Sequence, residues 1–94
     1  LLQADLQIKA AHAFKSLEVS TADTTWTFTA DEDIKTISFP KDREIFFTVT
    51  ATWPENTPES AILLTLRPDG QPDRDHTFWG FLELTEEIKF TLDR

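Results

Sequence analysis

Alternation is the dominant pattern along this chain. Trp26, Phe28 and Ala30 fall on one side of an extended segment, and Thr25, Thr27 and Thr29 on the other. Ile45, Phe47, Val49, Ala51 and Trp53 repeat the pattern against Thr48, Thr50 and Thr52. Period two with one apolar side is the signature of a half-buried strand. Ala61–Arg67 has apolar residues in both phases, which predicts a strand covered on both faces. Ile37 and Phe39 predict a short strand stopped by Pro40, and Thr77–Leu84 and Glu87–Leu92 predict two closing strands. Asp31–Asp33, Lys41–Glu44, Pro54–Ser60 and Pro68-Asp69-Gly70 separate these runs as turns and loops.

The first segment fits two periods. Leu2, Ala4, Leu6, Ile8 and Ala10 share a side with period two, while Leu2, Leu6, Ala10, Ala13 and Leu17 form a stripe with helical period. Leu1–Lys15 is rich in Ala, Leu, Gln and Lys and has Ile8 alone as a β-branched residue. That composition favours a helix over Leu1–Lys15. The expected architecture is therefore α+β: one domain, 1–94, with an N-terminal helix packed on five to six antiparallel strands over 19–94. If the first segment is a strand, the fold becomes an all-β sandwich.

Composition narrows the function classes. Seventeen Asp and Glu face nine Lys and Arg, for a net charge of −8. The basic residues stand singly, so the chain lacks the footprint that neutralises phosphates, which argues against nucleic acid and anionic membrane surfaces. Cysteine is absent, which removes disulfides, thiolate catalysis and Cys-based zinc sites. Neither a signal peptide nor a long apolar run is present. The chain opens on Leu1, and the expectation is that a targeting or membrane segment preceded it.

Candidate chemistry is sparse. Ser16, Ser20, Ser38 and Ser60 with His12 and His76 supply the atoms for nucleophilic catalysis, but no elbow motif surrounds any of the serines. The expectation is a non-enzymatic protein without a cofactor. Asp69, Asp73 and Asp75 occupy one loop and are calcium candidates by ligand type. Their spacing differs from an EF-hand, and Arg74 lies among them. Trp26 and Trp53 are in phase with core residues. Trp79 is in phase with Phe81, opposite Phe78, Leu82 and Leu84, so one of these two faces is a candidate aromatic surface for protein or sugar.

Three segments together resemble a known family. Leu2-Gln3-Ala4-Asp5-Leu6 with the Ala-rich stretch after it is similar to the end of a pilin-type helix. Trp26-Thr27-Phe28 is similar to the strand that follows, and Leu66-Arg67-Pro68-Asp69-Gly70-Gln71 to an apolar-x-Pro-Asp-Gly turn. With Ile88–Asp93 as a last strand, these resemble the minor pseudopilins of type II secretion and type IV pilus-like systems (the H-type, FimT-like group). The resemblance implies a periplasmic head that assembles with other subunits of a secretion or pilus filament and is anchored to the inner membrane by a segment absent here. On this reading the interface residues are Leu2, Leu6 and Ala10 on the exposed side of the helix, with Trp79 and Phe81. The alternative is an extracytoplasmic β-sandwich that binds carbohydrate or protein.

Overall fold

A computed structural model describes residues 2–39 and 44–92. Among these residues there are eight strands and no helix: β1 Leu2–Ala10, β2 Ser16–Ser20, β3 Thr25–Phe28, β4 Glu32–Phe39, β5 Glu44–Thr52, β6 Ser60–Pro68, β7 Arg74–Gly80 and β8 Glu83–Thr91. They form two four-stranded antiparallel sheets, β4-β1-β6-β7 and β3-β2-β5-β8.

The connectivity has a simple origin. β1 pairs with β4 and β6, and its continuation β2 pairs with β3 and β5. β6 pairs with β7, and β5 with β8. The chain is thus four long arms, β1–β2, β3–β4, β5–β6 and β7–β8, laid side by side and bent at mid-length. The two halves of each arm belong to different sheets. Backbone hydrogen bonds continue between arms at the bends. Ala10 N–H donates to Asp31 O (2.7 Å), Ala11 to Ala61 O (2.9 Å), Lys15 to Thr52 O (2.7 Å) and Trp53 to Leu82 O (2.8 Å). These bonds satisfy donors that a sharp change of direction would otherwise strand.

The inward sides of both sheets build one core. It contains Ala4, Leu6 and Ile8 of β1, Phe47 and Val49 of β5, Ile62, Leu64 and Leu66 of β6, and Phe78 of β7, all at 1% exposure or less. The outward side of the second sheet carries Thr25, Thr27, Thr48, Thr50 and Thr85, half-buried or exposed. Threonine there serves the strand by its β-branch and solvent by its hydroxyl.

The N-terminal helix is corrected to a strand. Period two wins over period 3.6: Ala4, Leu6 and Ile8 are buried, Ala13 of the helical stripe is exposed, and residues 11–15 form the first bend. Helix propensity differs by only tenths of a kcal/mol per residue between such side chains. β1 instead gains ladders on both flanks, with Leu6 opposite Lys35 on one side and Leu66 on the other. Leu1 and Asp93 lie outside the described residues, as do residues 40–43 of the expected stop and turn. Two further boundaries shift. The acidic Asp31–Asp33 run enters β4, and Thr77–Leu84 is broken by the bend between β7 and β8.

That last bend is tight. Glu83 N–H donates to Phe81 O at 2.7 Å across Leu82, whose φ is 63°. This is a γ-turn of the rare positive-φ kind, strained for a branched side chain by about 1–3 kcal/mol. Gly80 makes the turn fit. A Cβ there would lie 3.0 Å from Leu84 Cβ, 3.2 Å from Glu83 O and 3.4 Å from the Trp53 ring. Gly80→Ala is expected to destabilise by about 1–3 kcal/mol through overpacking. Urea unfolding checks this, and an unchanged midpoint would contradict the packing described.

Candidate functional site

Among the described residues, four large apolar side chains are half or more exposed: Ile34, Phe46, Trp79 and Phe81. Alternation and register place them. Ile34 is on β4 opposite Gln7, at the far edge of the first sheet from β7. Phe46 is on β5 of the other sheet, opposite Lys89. Of these, Trp79 (63% exposed) and Phe81 (56%) are close in the chain, Trp79 in β7 and Phe81 one residue past its end. Gly80 between them faces Trp53 and Leu84, so both aromatic rings project outward. Trp79 is directly opposite Ala61 and diagonal to Leu63, both partly exposed on the outer side of β6. These residues make an aromatic and aliphatic surface at one edge of the sandwich.

Burial explains why this surface is not core. Phe78 in the opposite phase is 1% exposed and fills the space between the sheets, its ring edge-on to His76 at 4.8 Å. Leu84 is likewise buried, and Leu82 is taken up by the turn. β7 therefore places Phe78 in the core and Trp79 outside it, and Phe81, one residue past the strand, is exposed as well.

The other proposed interface residues are placed differently. Leu6 is fully buried, and Leu2 and Ala10 are partly buried against the core. They share the inward side of β1 and offer no surface that a filament could extend. Trp53 is core and Trp26 packs against it, with its ring centroid 6.3 Å from that of Phe47.

The calcium candidates are not brought together. Asp73 accepts a hydrogen bond from Arg67 Nε at 3.2 Å, and Arg67 also donates to Gln7. Asp75 is on β7 opposite Thr65, and Asp69 donates its backbone N–H to Gln3 O. Among the described residues no group of three His, Asp or Glu side chains is arranged to hold a metal ion.

Among the described residues, one Ser–His pair is within hydrogen-bond distance. His12 Nδ1 lies 3.1 Å from Ser60 Oγ. Ser60 is only 1% exposed, so its oxygen is sealed from a substrate. Trp53 Nε1 donates to His12 O at 3.3 Å. The cluster joins the first bend to the start of β6 and satisfies a buried hydroxyl, which would otherwise cost about 1–3 kcal/mol.

The free strand edges are guarded. Antiparallel edges invite pairing with another chain unless charge interrupts them. On β4, Lys35 sits in the inward phase with its Nζ over the Phe28 ring at 5.3 Å. On β8, Glu86 takes the inward phase opposite Val49. On β7, Arg74 takes it and donates to Thr91 O at 3.1 Å, closing the seam between the two sheets. The fourth edge, β3, is four residues long. Recognition by side chains is therefore better supported than recognition by strand addition.

Ala61, Leu63 and the turn at Leu82 escaped sequence reasoning as parts of this surface. The signal was present in β6, whose two apolar phases were more than a half-buried sheet needs. No helix among the described residues is long and apolar enough to cross a membrane. Comparison with protein-family models finds no match, nor does comparison with curated proteins or with solved structures. The pilin-type subunit depended on an N-terminal helix, and the strand at Leu2–Ala10 overturns it.

Proposed function

We propose that this chain is a non-catalytic β-sandwich binding module that engages another protein through the Trp79–Phe81 surface. The observation that carries the reading is that two aromatics in consecutive outward positions are each more than half exposed, while the core keeps three fully buried Phe of its own. Keeping such rings in water is unfavourable, and clustered exposed aromatics mark contact surfaces. Trp in particular dominates binding energy once a partner desolvates it. The aliphatic flank of Ala61 and Leu63 beside Trp79 favours a protein ligand, whose apolar side chains it can cover.

An extracytoplasmic setting, periplasmic or extracellular, belongs to the same proposal. Its support is chemical: the chain has neither Cys nor Met, so no sulfur is available to oxidation.

The test is selection from a random dodecapeptide display library, with the Trp79→Ala/Phe81→Ala double variant as counter-target. Binders of the parent chain are expected to lose about tenfold or more in affinity on the double variant. The variant should melt within about 3 °C of the parent, because exposed positions contribute little to stability. If every recovered binder holds the double variant equally well, the reading fails. A glycan-array signal that depends on Trp79, without any such peptide, would move the function to carbohydrate recognition.

A further inference from the structure

The exposed charges around the aromatic pair are of one sign. Resting on the Trp79–Phe81 reading, we infer that the ligand is an extended, basic segment of another protein, with Arg or Lys flanking an apolar centre. Three carboxylates bracket the surface. Glu83 is the bridge partner of Phe81 across the turn, at the start of the outward side of β8 opposite Thr52 and four residues before Glu87. Glu59 is exposed in the bend just before Ser60, which pairs with Gly80 between the two aromatics. Asp75 shares the outward phase of β7 with Thr77 and Trp79, at the other end of the strand. All three are exposed. Arg67 lies diagonal to Asp75 on the outer side of β6, but its guanidinium is held by Asp73 and Gln7, and Lys9, opposite Leu63, has Glu32 as its other cross-strand neighbour.

The span matches an extended peptide. From Asp75 to Phe81 is six residues of roughly 3.3 Å each, about 20 Å, the reach of a similar length of partner chain. Its centre would lie on Trp79, Ala61 and Leu63, where a cation stacked on the indole gains further attraction. Charge also decides against the obvious competitor. A second copy on this face would bring a net −8 against another −8, with Glu59, Glu83 and Asp75 facing their equivalents. A basic segment instead meets complementary potential, which also speeds encounter.

The experiment uses two synthetic decapeptides with one Leu/Thr centre, one carrying Arg at both ends and the other Glu. Binding is read by calorimetry on the parent chain, on Trp79→Ala, and on two charge-matched double variants. Glu59→Gln/Glu83→Gln alters the proposed site. Glu18→Gln/Glu87→Gln alters the outward side of the other sheet, where Glu18 is opposite Thr50 and Glu87 opposite Thr48. The Arg peptide is expected to bind about tenfold or more tightly than the Glu peptide. It should weaken about fivefold on Glu59→Gln/Glu83→Gln and less than about twofold on Glu18→Gln/Glu87→Gln. Equal loss on both double variants would reduce the effect to net charge and overturn the inference, as would absence of binding by the Arg peptide. If both peptides bind alike and both need Trp79, the charge assignment falls while the aromatic site stands. If the Arg peptide binds but ignores Trp79→Ala, the site itself falls.

Discussion

Phe47→Ala is expected to lower stability by about 3–5 kcal/mol, the range for removing a ring from a packed core. Phe47 is fully buried on β5, between β2 and β8. Its ring meets Phe90 edge-on at 5.9 Å and Trp26 at 6.3 Å, geometries that add to simple burial. Truncation therefore leaves a void that neither neighbour can fill without leaving its own strand. A domain of this size holds roughly 5–14 kcal/mol in all. The thermal midpoint should fall by about 15–30 °C, measurable by circular dichroism. A loss under about 1.5 kcal/mol would mean that the two sheets do not share the close packing described.

Trp53→Ala should be comparable, at about 3–5 kcal/mol, for a different reason. Trp53 stands where the third arm bends. Its backbone N–H reaches Leu82 of the fourth arm, its indole N–H reaches His12 O of the first, and its ring covers Gly80. Losing the side chain opens a cavity and removes the indole bond to the first bend, while the backbone bond to Leu82 remains. Trp53→Phe separates the parts. It keeps most of the apolar bulk and removes one hydrogen bond, so about 1 kcal/mol is expected from that bond. Urea unfolding of both variants checks the pair. If Trp53→Phe costs as much as Trp53→Ala, the indole N–H and not the packing carries the residue.

The strands legible in the sequence were those where one chemistry dominates. β5 alternates from Ile45 to Thr52 with Phe46 as the one apolar residue in the outward phase, and burial keeps the same alternation. β1 was not legible, because its residues are good helix formers and its apolar positions fit both periods. The ladders to β4 and β6 that decide the matter involve residues far along the chain, and no local pattern contains them. β2 was hidden by its brevity and its polar alternate positions. The aromatic surface was half legible. Phase separated Trp79 and Phe81 from Phe78, but which phase faced water depended on the second sheet. Its flanking carboxylates were invisible, since Glu59 and Glu83 meet the surface only through the β6–β7 register and a turn.

The bent arms also determine how this domain can be divided. Residues 2–39 supply two adjacent strands to each layer, and residues 44–92 supply the other two. The seam between these halves runs along β1–β6 and β2–β5, through both layers at once. Peeling one layer from the other would cut every arm, whereas parting the halves breaks two ladders and leaves each half with the complement of the other's open edge. The molecule is thus cleaved by its topology across its layers, and a piece of it can be completed only by the opposite half.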